Sequence, residues 1–169
     1  MQKTWKEIRN EVICLGFEKE KAYNKNQDTF ITAFNWAMTH IATTVSPIYA
    51  EAIVEKIDGA FDFKKCPEYM FCVGVYTPEY TEYTPDVAAA LPDGQYRVKY
   101  RKYPKYCGGG DDYVCELPYE YANIIAYLIA HRVWMDDDMS KSVLYWNTFE
   151  ELKNQLSGRS GITVSGGWI

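Results

Sequence analysis

Histidine is nearly absent from this chain: His40 and His131 are the only two among 169 residues. Each falls inside a helical pattern, without the His-x-x-x-His or Glu-x-x-His spacing that brings metal ligands or a ligand and a base onto one helix face. No Cys-x-x-Cys occurs, and Cys14, Cys66, Cys72, Cys107 and Cys115 are odd in number and irregularly spaced. Neither a disulfide framework nor a zinc site is therefore expected. The phosphate-cradling patterns Gly-x-Gly-x-x-Gly and Gly-Lys-Ser are missing as well. No apolar run approaches bilayer length and Met1 leads straight into a polar helix, so a soluble protein made in a reducing cytoplasm, with no membrane partner, is the expectation. A cationic footprint is lacking too: the net charge is -5 and the sequence pI about 5.1. That argues against tight binding to a phosphate backbone. With no nucleophile, base or ligand set in a usable pattern, the chain is expected to be no enzyme and to hold no cofactor or metal.

What the chain has in surplus is aromatic residues, 16% of the total, led by 15 tyrosines. Tyrosine joins a large apolar ring to a hydroxyl that must be hydrogen-bonded or wet, which suits surfaces half-buried between subunits as well as exposed sheet faces. Hydrophobic residues at 47% and charged residues at 24% describe a globular chain of one domain's length.

Thr4-Trp5-Lys6-Glu7 reads as a capping box, and Trp5, Ile8, Val12 and Leu15 then share a helix face that Gly16 can close. Phe30, Phe34, Ala37, Met38, Ile41 and Val45 write a second helix, capped by Asn26 or Asp28 and ended by Pro47. Residues 48–57 fit a helix after Ser46-Pro47 or a strand; Asp58-Gly59, a hairpin turn, favours the strand. Residues 70–76 are rich in β-formers, and Tyr80, Tyr83 and Val87 continue as short β pieces between Pro78 and Pro85. The clearest strand follows Pro92-Asp93-Gly94, with Tyr96, Val98 and Tyr100 alternating with Arg97, Lys99 and Arg101. Rings in the core and charges in water explain that alternation, although interleaved aromatics and cations are also what single-strand nucleic-acid binders present. The basic row could equally line a channel or pair with acidic groups of a neighbouring chain. Residues 107–112, with three consecutive glycines, read as a flexible loop.

From Leu117 the pattern returns to helix. Pro118 occupies the first turn, and Tyr121, Ile124, Ile125, Leu128, Ile129 and Trp134 make a helix apolar over most of its circumference. Truncating Trp134 to Ala in a fully buried setting would cost about 3–5 kcal/mol. A second helix carries Val143, Tyr145, Trp146, Phe149, Leu152 and Leu156, with Gly158 as its stop. Asp136, Asp137 and Asp138 lie between the two. Carboxylates disfavour a helix C-terminus and favour an N-terminus by about 0.3–1 kcal/mol each, so the break is expected near Met135, with the aspartates turning the chain and capping the second helix. Three adjacent aspartates on a tight turn cannot all converge on one ion, which sets calcium or magnesium aside. The last residues, 158–169, are Gly/Ser-rich but carry Ile162, Val164, Trp168 and Ile169, side chains a solvated tail does not need. They are expected to bind a partner subunit or, alternatively, to fold back on their own domain.

The fold class expected is α+β: a helical bundle of two N-terminal helices and a C-terminal antiparallel helix pair, with an antiparallel β insertion. Its boundaries are 1–46 helices, 47–116 β insertion and 117–157 helical hairpin in a single domain, then 158–169 as an extended tail.

Several segments together resemble the head-to-tail adaptor, or head-completion, proteins of tailed phages, including the tubular-protein-A-like adaptors of short-tailed phages. They are Leu117-Pro118-Tyr119-Glu120, Tyr127-Leu128-Ile129-Ala130, Trp134-Met135-Asp136-Asp137-Asp138 and Tyr145-Trp146-Asn147-x-Phe149-Glu150-x-Leu152. The strand from Tyr96 to Pro104 and the segment Ile41-Ala42-Thr43-Thr44-Val45-x-Pro47-Ile48 look similar too. The resemblance implies a virion protein, made in the host cytoplasm, that assembles as a ring, commonly of twelve subunits, between portal and tail. Genomic DNA would pass through its lumen without specific binding, and a C-terminal extension would dock on the portal. A baseplate or fibre-attachment adaptor is the alternative within the same class, and a single-strand nucleic-acid-binding protein using residues 96–105 the alternative outside it.

Overall fold

The computed structural model describes residues 2–16 and 26–160. It is an α+β structure whose described helices and strands fall into two compact units. One joins the chain up to Met38 to the chain from Tyr106 onward, and the other is Thr39–Lys105.

In the first unit, α1 (Trp5–Cys14) begins at the expected capping box: the Glu7 N–H donates to Thr4 Oγ1 at 3.3 Å and the Thr4 N–H to Glu7 Oε2 at 2.8 Å. Trp5, Ile8 and Val12 are buried, and Gly16 follows the helix at φ +100°, a left-handed conformation that favours glycine. Helix α2 (Gln27–Thr44) starts from Asn26, whose carbonyl accepts from Thr29 and Phe30, and buries Phe30, Phe34, Ala37, Met38 and Ile41. Its Phe34 ring stacks on Trp5 at 4.6 Å and meets Tyr113 edge-on at 5.9 Å. The stretch just after residue 105, expected to belong to the β insertion, joins the helices instead. Lys3 O accepts from the Cys115 N–H, the Trp5 N–H donates to Tyr113 O, and Thr4 bridges Val114, so residues 111–115 are a partner for the chain's own start.

The second unit is a five-stranded antiparallel sheet of order β2-β1-β5-β3-β4. The strands are β1 (Ile48–Ile57), β2 (Ala60–Phe61), β3 (Tyr69–Tyr76), β4 (Glu82–Tyr83) and β5 (Gly94–Lys102). Residues 48–57 are therefore strand, turned back by Asp58 at φ 51° and Gly59 at φ 78°, the left-handed pair that a two-residue hairpin needs. Val54, Val75, Tyr96, Val98 and Tyr100 form the core on one sheet face, with Phe63 stacked on Tyr69 at 4.7 Å beside it. Val87 is not in a β piece. It lies in a one-turn helix, α3 (Pro85–Ala88), because Pro85 occupies the first helical position with Thr84 before it.

The C-terminal hairpin belongs to the first unit. The predicted continuous helix from Pro118 is broken at Asn123 and Ile124 into α4 (Tyr119–Ala122) and α5 (Ile125–Trp134), and α6 (Met139–Ser160) packs back on α5. Ile125, Leu128 and Ile129 are fully buried. Trp134 is only half-buried, with Lys141 Nζ 3.9 Å over its ring, so the 3–5 kcal/mol expected for its loss belongs to Trp5, which is fully enclosed. Helix α6 does not stop at Gly158 but runs to Ser160. A glycine only lowers helix propensity by about 1 kcal/mol, and twenty-two residues of continuous helix absorb that.

Candidate functional site

The solvent-facing side of the sheet is where chemistry-bearing side chains gather. Strand alternation sends Tyr96, Val98 and Tyr100 of β5 inward and Arg97, Lys99 and Arg101 outward, as expected. The register then places one outward residue of β1 and one of β3 beside each cation. Tyr49, Arg101 and Phe71 form one row, Glu51, Lys99 and Gly74 the next, and Ile53, Arg97 and Tyr76 the third. The alternation of β5 does not reveal that this face is also apolar. In β1 the outward residues include Tyr49, Ile53 and Ile57, which are 51%, 64% and 58% exposed, with Glu51 and Glu55 between them. Inward, Ala50 and Ala52 are small, and Val54 and Lys56 are the buried side chains of this strand.

Each cation lies over a ring: Lys99 over Tyr49 at 5.4 Å, Arg101 over Phe71 at 5.7 Å and Arg97 over Tyr80 at 5.3 Å. The three are not equally available. Arg101 Nη2 donates to the carbonyls of Ala42 and Thr43 at 2.6 and 2.7 Å, satisfying the open C-terminal end of α2. Arg97 sits 3.6 Å from Glu51. Tyr76 donates to Glu82 Oε1 at 2.8 Å, and that hydrogen bond raises the phenol above its ordinary value. Gly74 leaves the room for it, since a Cβ there would come within 2.9 Å of Glu82 Oε1. Beside the third row, Ile53, Pro78, Tyr80, Gln95 and Arg97 line an open depression of about 200 Å³. Carboxylates of Glu51, Glu55 and Glu82 thus share the face with its cations, so it is amphipathic rather than a cationic track.

The other predicted residues are placed as follows. Asp138 caps α6: its Oδ1 accepts the Lys141 N–H at 3.1 Å, while the N–H groups of Asp137 and Asp138 both turn back to Trp134 O. Asp136 lies apart from them in an open depression with Asp28 and Arg132, and no cluster of metal-ligating side chains occurs among the described residues. Ile162, Val164, Trp168 and Ile169 lie outside the described residues. Of the second hairpin helix, Phe149 is buried but Val143 points outward with Met139 and Leu144, 48%, 61% and 60% exposed, a second apolar strip.

One pairing that spacing could not reveal resembles catalytic machinery. Ser142 Oγ is 2.9 Å from His131 Nδ1, yet the serine is fully buried and the hydroxyl also donates to His131 O at 3.1 Å. The His131 ring stands 5.0 Å from that of Trp146 and 6.2 Å from that of Trp36. A hydroxyl with no access to a substrate is a clasp between α5 and α6. Four of the five thiols are no better placed as nucleophiles: burial pushes Cys66, Cys72 and Cys107 up from their ordinary range and Cys115 to about 11.

Compared with known proteins, the chain matches no family model and no curated protein sequence.

Proposed function

We propose that this chain is a non-catalytic assembly component: a subunit of an oligomeric ring in the neck of a bacteriophage, joining portal to tail around the DNA channel and residing in the virion. The observation that carries the assembly part is the outward sheet face, where Tyr49, Ile53, Phe71 and Tyr80 are 46–70% exposed beside paired charges. An apolar, aromatic patch with Arg among it is the composition of a protein interface, and it is larger than scattered exposure requires. The phage part is supported by the motif resemblance alone. Portal and neighbouring neck proteins are the partners it implies.

The test is assembly. Purified chain mixed with the portal of its own virion should give rings or portal caps in negative-stain images, and Ile53→Asp with Tyr80→Ala should abolish them while leaving stability within about 0.5 kcal/mol, as exposed positions do. Neither rings nor complexes would reject the reading. Rings that ignore portal and bind fibre or baseplate proteins would move the chain to the tail tip.

A second reading has one observation in its favour, since Tyr49, Phe71 and Tyr80 offer exposed rings beside cations on which unpaired bases could stack. The shared carboxylates and the commitment of Arg101 to α2 weigh against it. Titration of a labelled oligonucleotide at low salt should therefore give no binding; tight binding lost on changing Arg97 and Lys99 to Ala would replace the assembly reading.

A further inference from the structure

The sheet has two long open edges, β1 and β3, and only that of β1 is regular: β3, which β4 meets at Val75 and Tyr76 alone, is irregular at two places along its pairing with β5. Strand β1 pairs with β5 along its length, from Ile48 opposite Lys102 to Lys56 opposite Gly94, but on its other side β2 meets only Lys56 and Ile57. The hairpin fixes which backbone groups are left over. Ile57 and Ala60 close the two-residue turn as a hydrogen-bonded pair, and the direction of N–H and C=O alternates along a strand. Ile57, Glu55, Ile53, Glu51 and Tyr49 therefore direct theirs away from β5. The bond from the Asp62 N–H to Glu55 O, 2.9 Å, agrees with this parity. Beyond it no described backbone group pairs with Ile53, Glu51 or Tyr49 on that side. Along residues 49–53 the edge carries no lysine, proline or bulge: its outward side chains are Tyr49, Ile53 and a single carboxylate, Glu51, and its inward ones, Ala50 and Ala52, are small and only half-buried.

Residues 161–169 supply an occupant in the same chain. They hold no charged side chain, alternate Ile162 and Val164 about Thr163, and follow Arg159, a cation matching Glu51 and Glu55. Extended, nine residues reach about 30 Å. We propose that residues 161–165 of a second copy add a strand to the open edge of β1. Their backbone takes up the free groups of Tyr49, Glu51 and Ile53, and Ile162 and Val164 cover Ala50 and Ala52. The inference rests on the assembly reading above and names the contact that produces it. Edge and tail are different surfaces of one chain, so their contact between copies is heterologous and repeats head to tail, which is how a ring closes.

Two full-length variants test it. Glu51→Pro removes an N–H aimed at the open edge and leaves the β1–β5 pairing intact; Ile162→Asp with Val164→Asp changes only residues outside the described fold. Light scattering after size-exclusion chromatography should find each variant alone monomeric at concentrations at least about tenfold above those at which the unaltered chain assembles. The two mixed should form one-to-one pairs and nothing larger, because one keeps a working tail and the other a working edge. Unaltered chain that assembles while both variants assemble equally well overturns the tail-to-edge contact and leaves the assembly reading standing. A mixture that stays monomeric also overturns the contact. Unaltered chain that is monomeric throughout, alone and with portal, overturns the assembly reading itself.

Discussion

Gly109 and Gly108 are neighbours in the run Gly108-Gly109-Gly110, and in the sequence they look interchangeable. The structure separates them. Gly109 has φ +91° and a Cβ there would fall 2.5 Å from Ile31 Cδ1, whereas one on Gly108 would meet nothing within 4 Å. Gly109→Ala is thus expected to cost about 1–2 kcal/mol in chemical denaturation, chiefly from left-handed backbone strain while the end of the Ile31 side chain shifts aside, and Gly108→Ala under about 0.5 kcal/mol. The loop expected to be flexible is also pinned by one residue whose role spacing could not announce. Asn35 in α2 donates Nδ2–H to Cys107 O at 3.0 Å and accepts the Cys107 N–H on Oδ1 at 2.8 Å, across 72 positions of chain. A polar residue on the flank of an apolar stripe reads as solvated in sequence; only the partner's location makes it a clamp.

At the scale of elements, boundaries set by local chemistry were legible. The capping box of α1 and the aspartate-capped turn before α6 depend on groups within four residues of one another; the Asp58-Gly59 hairpin was legible from its turn residues, although Asp93, distant in sequence, accepts both of their N–H groups at 2.9 and 3.0 Å. What was not legible depends on distant partners. Lys56 follows Glu55 in β1 as the second of two adjacent charged residues, yet it is 2% exposed, and its Nζ donates to the carbonyls of Ala88, Ala89 and Leu91 at 3.3, 2.7 and 2.6 Å. It ties down the end of α3 and the turn after it: the Ala88 carbonyl accepts from Leu91 as well, while those of Ala89 and Leu91 lie beyond the single helical turn. Lys56→Met keeps the stem and loses the donors. It should lower stability by about 2–3 kcal/mol, the worth of charge-assisted bonds whose acceptors are left short, and hydrogen exchange should speed first at Ala88, Ala90 and Leu91. Unchanged exchange there would mean that Pro85 alone holds the turn. The candidate face was half legible: period two placed Arg97, Lys99 and Arg101 outward, but nothing local put Tyr49 and Ile53 beside them, because the outward row of β1 is fixed only by its register with β5.

For the molecule as a whole, α+β class and element order were readable, while the division into units was not, since it depends on which segments find each other across the chain. The boundary between Met38 and Thr39 falls inside α2, so the units share one continuous helix. Helix formation is cooperative across such a junction, and the buried thiols report on both sides: Cys66 lies in the sheet unit, Cys115 in the helical one, and Cys14 is exposed. In native buffer at pH 8, Cys14 should be alkylated far faster than Cys66 or Cys115, whose raised values leave little thiolate. Under rising urea, protection of Cys66 and Cys115 should vanish at one midpoint; two midpoints would mean the units unfold separately. The two units nonetheless differ in when their parts exist. Every strand of the sheet lies in the unbroken stretch Thr39–Lys105, whereas the start of α1 is tied to Tyr113, Val114 and Cys115. On a translating ribosome, which adds about 5–20 residues per second, the sheet can close as soon as its last strand has emerged. The helix α1, synthesised before the sheet, must wait for residue 115 to find its backbone partners.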